Sequence, residues 1–443
     1  MNGLRNAIHR WPSIALVFLT TIATHPLSVS GQSTTPPMES NPQPEITGPL
    51  VVQGLPGTST TRLVPMADYI SPLASIFGNY SFGRSSSQTP TQPSDDSQLA
   101  RYYRSGGRSN LLRLPEMFGD FRSAGPGLTL IAGGESVLTE MPLAAGVGGL
   151  RIAEDNQALP ANRIWFGFNH FHNAFDAQPL PSLTPTQRQS ANRFVAATEF
   201  LLDEGRTSLE LRMAFGSAVN LTGATPTAGF NLDVDSIGNL SLILKRLLYA
   251  DACTAWSAGL GVETPTGSDA VLQQGTQQFQ LQNDAVHLIP FMAYSERFGR
   301  IFTHAFTQID VATGGNELTV SAPGAGSFTL GRIDPQPLLG VDIGFGYWLV
   351  EPCCGRSNGL AAVTELHYTA GLGDQDVFTL VSGAGTTVGA NTPRGTATDL
   401  LNVTTGLEYS TGSGWALRTA VAAPLQNERV FDTEIIVQAN RTF

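Results

Sequence analysis

The chain has 443 residues, enough for one large or two ordinary domains, yet only 14% of them are charged, against roughly 25% in soluble globular proteins. Its 47 Gly and 28 Pro disfavour a helical protein. The formal net charge of −11 argues against nucleic acid as a partner.

In chain order, the first segment is a positive start (Arg5, Arg10), an apolar run from Ile14 to Ala23, and small residues around Ser28, Val29, Ser30 and Gly31. This pattern reads as a secretory signal over 1–31, because about 20 apolar residues are needed to cross a bilayer as a helix. Residues 32–110 are rich in Pro, Ser and Gln and are expected to stay disordered, with 69–82 as the one stretch apolar enough to embed. Order is expected to begin near LLRLPEMFGDF (111–121), as a short helix or turn inside or beneath a barrel. Residues 111–161 then form either a plug or extra strands.

From Asn162 to Phe443 the chain alternates apolar and polar residues with a period of two, which is the signature of a strand. Long and tight connections also alternate: 176–191, 216–236, 264–283, 311–337 and 371–397 are long, while 203–205, 250–253, 298–299 and 411–413 are short. Such alternation belongs to an up-and-down barrel rather than a sandwich. The fold expected is therefore all-β, a closed antiparallel up-and-down transmembrane β-barrel over 162–443. It has twelve strands, or fourteen if 126–133 and 145–153 join the wall.

Parity sorts the side chains into two sets. Leu209, Leu211, Phe215, Trp256, Phe345, Tyr347, Leu401, Tyr409, Trp415 and Phe443 are expected to face the membrane. Glu199, Glu210, Arg212, Lys245, Asp342, Glu365, His367, Glu408, Arg418 and Glu434 are expected to line a pore, where charged rings tune ion selectivity. A network of ion pairs plugging a narrow barrel is the other use of such residues. The final segment, FDTEIIVQANRTF, ends on Phe443 with no polar tail, as bacterial outer-membrane barrels commonly do. The expected partners are outer-membrane lipids, the barrel-assembly machinery through Phe443, and small solutes.

Chemistry-bearing groups are sparse. His170 and His172 share a strand face, but Ile164, Phe166 and Phe168 share it too, and no third donor for a metal is evident. Glu365 and His367 resemble part of a hydrolytic triad, yet GxSxG is absent, so a hydrated lumen lining is the simpler reading. The glycines at 146–149, 344 and 346 open no helix after a strand and are not phosphate loops; Gly there relieves lumenal crowding or lets the strands coil. Cys253, Cys353 and Cys354 either remain thiols or leave one odd partner after Cys253 pairs with one of the other two. No catalytic residue, metal ligand or cofactor is expected.

Several stretches resemble a family of secreted β-barrel proteins abundant in planctomycetes and described as porin-like. They are RLPEMFGDF (113–121), GLRIAEDNQALPANRIWFGFNHFHNAF (149–175), LLDEGRTSLELRMAF (201–215), DLLNVTTGLEYS (399–410) and the terminal FDTEIIVQANRTF. The resemblance spans about two-thirds of the chain and departs at Ala161, Trp165 and His172. It implies an outer-membrane barrel of a diderm bacterium and carries over no activity. The leading expectation is a channel for diffusion of small polar solutes. Its alternatives are a transporter of hydrophobic compounds with a lumenal plug, a structural or adhesive surface barrel, and a barrel-embedded lipid hydrolase.

Overall fold

The computed structural model describes residues 114–120, 128–132, 135–139, 150–177, 187–219, 230–232, 236–274, 277–322, 326–352, 358–373, 378–381, 387–390, 399–426 and 431–443. The expected signal segment, the Pro-rich segment, Cys353 and Cys354 lie outside them. The described residues all fall within the unit Gly48–Phe443.

Twelve strands close into one antiparallel barrel. They are β1 (Arg163–Ala177), β2 (Gln187–Leu202), β3 (Thr207–Val219), β4 (Leu240–Ala250), β5 (Thr254–Thr264) and β6 (His287–Phe298), followed by β7 (Ile301–Ala312), β8 (Leu338–Val350), β9 (Gly359–Gly371), β10 (Asp399–Ser410), β11 (Trp415–Pro424) and β12 (Thr433–Thr442). Each pairs with its chain neighbours, and β12 closes on β1 from Thr433 opposite His172 to Thr442 opposite Arg163. Closure leaves the wall with no unpaired edge, a requirement where lipid offers no hydrogen bonds.

The alternation expected from parity is visible strand by strand. On β12, Glu434, Ile436, Gln438 and Asn440 are buried, while Ile435 and Val437 are exposed. On β8, Asp342, Gly344, Gly346 and Trp348 point inward, and Phe345, Tyr347 and Leu349 point out. The exposed side chains of the wall are largely Phe, Leu, Ile, Val, Tyr and Trp, a surface that only hydrocarbon solvates without cost.

Tight turns gather at one end. Asp203–Gly205 forms a single 3-10 turn with Asp203 and Gly205 both at positive φ, and Gly299 and Gly414 give the later turns their left-handed residue. In the β4–β5 turn, Asp251 accepts the backbone N–H groups of Cys253 and Thr254 and the Tyr249 hydroxyl. Slight burial pushes its carboxyl up, and these bonds more than offset that, holding it below its ordinary value.

At the other end the connections are not plain loops, as the sequence reading had them. Phe230–Leu232, Ala270–Gln274, Gln277–Leu281, Asn316–Ala322 and Gly326–Ile333 form a five-stranded sheet beyond the wall. The fourteen-strand alternative is not what forms. Leu128–Ala132 and Glu135–Thr139 make a hairpin that pairs with Thr387–Ala390 of the β9–β10 connection and touches the end of β1 at Thr139 opposite Ala177. Residues 150–153 lie in the lumen instead of the wall.

Candidate functional site

The candidate site is the lumen, and it is filled by the chain itself. Two segments, 114–120 and 150–160, run through it side by side, joined where Met117 N–H donates to Asn156 O at 2.9 Å. The hairpin at 128–139 connects them beyond the long-loop end, and the second segment enters β1 at the tight-turn end. The two described lumenal segments run antiparallel to each other at the bridge between Met117 and Asn156.

Local sequence explains why these segments fit together. Gly119 has φ +74, and a Cβ there would lie 2.6 Å from Glu154 Cα, so only glycine permits so close an approach. Asp155 holds a left-handed φ of 45, and its carboxylate is clasped between Arg163 and Arg418 of the wall. The wall glycines receive the plug in the same way. A Cβ on Gly340 would meet Arg151 Nη1 at 2.6 Å and one on Gly344 would meet Met117 Cε at 3.3 Å, while one on Gly346 would overlap the ring of Phe302, a wall residue that packs against the plug.

The lumen has two sectors. One is apolar: Ile243, Leu247, Ile289, Phe291, Phe302, Phe306, Trp348 and Val363 of the wall pack against Leu114, Met117, Phe118, Leu150 and Ile152 of the plug. The other is charged. Glu154 is gripped by Arg193 at 2.5 and 3.0 Å and by Arg212 at 3.3 Å. Arg151 reaches out from the plug to Asp342 at 3.1 Å and lies 3.0 Å from Asp120 within it. Such pairs are worth having only where every partner is in place, since stripping ions of water costs several kcal/mol each.

All ten side chains expected to line a pore project into this lumen, and all are buried. Lys245 donates to Asn156 Oδ1 at 2.8 Å and to Gln157 O at 3.1 Å. Glu365 accepts the backbone N–H groups of Phe118 and Gly119 at 2.7 and 3.0 Å. Arg418 donates to the carbonyls of Glu116 and Met117. Asp342 accepts from His367 at 2.8 Å. Glu434 accepts from Asn169 at 2.6 Å, Glu199 binds Arg163 and Lys245, Glu210 binds Arg163 and Arg212, and Glu408 binds Arg418. Glu365 and His367, expected as a hydrated lining, are buried beneath the plug.

The ten residues expected to face the membrane lie on the outer face, half-buried or exposed. Among them, Trp415 and Phe443 flank the Arg441 guanidinium at 5.3 and 5.2 Å from their ring centres. His170 and His172 are also outward. His170 pairs with Asn192 at 2.8 Å and His172 lies 3.4 Å from the Ser190 hydroxyl.

Among the described residues, Asp120, Asp342 and His367 could hold a metal ion between them. The Arg151 guanidinium already supplies the positive charge there, lying within 3.1 Å of both carboxylates.

Sequence reasoning missed the lumenal Arg163 and Arg193, and the plug residues Asp120, Arg151, Glu154 and Asp155. Arg163 was recoverable, since it shares parity with Trp165 and opposes the outward Ile164. The plug residues belong to no regular strand, so period two could not reveal them.

No family model matches the chain, and no curated protein matches it. Among solved structures it is similar to an outer membrane channel from Pseudomonas putida F1, at 14% identity over 65% of this chain and 98% of that one, with a TM-score of 0.45. It is also similar to the translocator domain of the autotransporter NalP from Neisseria meningitidis, at 8% identity over 65% and 89%, with a TM-score of 0.41. The toluene transporter TbuX from Ralstonia pickettii is similar at 9% identity over 68% and 92%, with a TM-score of 0.33.

Proposed function

We propose that the chain is an outer-membrane channel for small solutes, held shut by its own plug. The outward apolar band and the closed ladder support the location, because a wall greasy outside and charged within has lipid as its natural solvent. The observation that carries the gating is the kind of bond that holds the plug. In the lumenal hydrogen bonds between 114–120 or 150–160 and the wall, at least one partner is a side chain, as in Glu365 to Phe118, Gln308 to Ile152 and Ser295 to Ala158. The plug can shift without breaking one ladder bond of the wall.

The charged sector suits polar solutes passing along Arg193, Arg212 and Glu210. The apolar sector under Leu114, Met117 and Phe118 favours a second reading, passage of apolar compounds along Phe291, Phe302 and Phe306. Planar-bilayer recording of the purified protein tests conduction: brief openings from a closed baseline are expected. Silence at every voltage, in the wild type and in plug-loosened variants alike, would identify a structural barrel. Swelling of proteoliposomes in small sugars, against uptake of a labelled aromatic, separates the two solute classes.

A further inference from the structure

The grip on Glu154 has the form of a ligand site with a ligand in it. Arg193 approaches the Glu154 carboxylate with both terminal nitrogens, at 2.5 Å to one oxygen and 3.0 Å to the other, and Arg212 adds a contact at 3.3 Å. A two-pronged guanidinium fork is matched to the planar carboxylate and takes up any carboxylate that reaches it. The wall also sets the position of this clamp. Glu210 of the neighbouring row accepts from Arg212 at 2.8 and 3.0 Å, and the Arg212 guanidinium lies over the Trp165 ring, 4.9 Å from its centre. Beside it sits a small apolar cluster of Trp165, Val195, Ala197 and Ala214. Both arginines and the carboxylate are at most 4% exposed.

We infer that Glu154 stands in the resting barrel where the carboxylate of a solute binds, so that Arg193 and Arg212 select monocarboxylates with a small apolar body. Glu210 is shared between Arg212 and Arg163, and Arg193 and Arg212 both close on the one carboxylate of Glu154, so the clamp is a single carboxylate wide. In the closed state that carboxylate is the plug's own, and an incoming one competes with it. The inference rests on the proposed channel and names its solute class.

The test uses a property of the side chain. Glu154→Ala removes one methylene and the carboxylate, the atoms of acetate. In the full-length barrel carrying this change, acetate is expected to bind about tenfold or more tightly than to the wild type, in line with the worth of a hydrogen bond to a charged group. Binding is read by calorimetry and by a rise in thermal midpoint. Acetamide, which has the same shape without the charge, is expected to do neither. Adding Arg193→Ala should abolish the acetate effect, and adding Arg246→Ala, on an arginine exposed at the tight-turn end, should leave it intact. A folded Glu154→Ala barrel that binds acetate no better than acetamide overturns the inference. If that variant does not fold, Glu154→Gln keeps the shape and drops the charge. There, acetate must displace the amide and raise conductance, and equality with acetamide again overturns the site. Acetate binding without conductance in any variant would refute the channel and leave the carboxylate site standing; conductance indifferent to acetate would do the reverse.

Discussion

Gly119→Ala should unseat the plug while sparing the wall. The added Cβ would fall 2.6 Å from Glu154 Cα, 2.9 Å from its Cβ and 3.0 Å from its backbone N, in a region where nothing is a flexible side-chain tip. The left-handed φ of +74 adds about 1–2 kcal/mol for any L side chain. Overpacking adds about 1–3 kcal/mol. Together the closed form loses roughly 2–5 kcal/mol, which lowers the closed-to-open ratio by a factor of roughly 30 to a few thousand. Residue 119 takes no part in the twelve-strand ladder, so folding of the barrel, read as heat-modifiable gel migration, should persist. Single-channel recording should then show open probability rising by at least tenfold. A folded variant as silent as the wild type would show that the junction of the two lumenal segments is not what keeps the barrel closed.

Other substitutions test the two faces of the wall. Arg418→Met leaves Asp155 and Glu408 buried without their shared cation and should cost about 3–5 kcal/mol, seen as a lower urea midpoint of the folded band; Asp155→Asn added to it should recover part of the loss. Val437, midway along β12, points outward and is 47% exposed, so Val437→Arg should destabilise by about 2–4 kcal/mol in bilayers of matching thickness, and a neutral effect there would mean that this row does not meet lipid.

The wall was legible because its physics repeats every two residues. The segment FDTEIIVQANRTF declares both its faces, and the structure assigns Ile435 and Val437 outward and Glu434 and Gln438 inward. The alternation of long and tight connections gave the strand count for a separate reason: hairpins at one end need only a turn residue such as Gly299 or Gly414. The lumenal segments were far less legible. LPEMFGD and LRIAEDNQALP carry charged and apolar residues with no period, because each side chain answers to a different wall strand. Glu116 and Glu154 look like ordinary solvated carboxylates until the barrel closes around them. The extensions beyond the wall were missed through their brevity, since Phe230–Leu232 or Gln277–Leu281 alone is too short for alternation to show.

One property of the plug links its composition to the width of the barrel. Eight strands leave an interior that side chains alone can fill, and sixteen or more leave a channel; twelve lie between the two. Here two lengths of backbone fill the interior, and each must satisfy its own N–H and C=O groups away from water. That demand explains the inward Gln308, Gln438, Arg418 and Glu365, each of which serves a plug backbone group: Gln308 binds Ile152 N–H and Leu150 O, Gln438 binds Phe118 O, Arg418 binds two carbonyls and Glu365 binds two N–H groups. A lumen meant only as a rigid filling would be met more cheaply by large apolar side chains on the wall, without desolvating so many ions. Wall side chains that substitute for water at a removable backbone are instead what a closed state needs when water must replace them on opening. In the open barrel water would take the place of the plug's backbone groups at these residues, and pairs within the wall, such as Arg163 with Glu199 and Arg418 with Glu408, would keep part of the lumenal charge balanced.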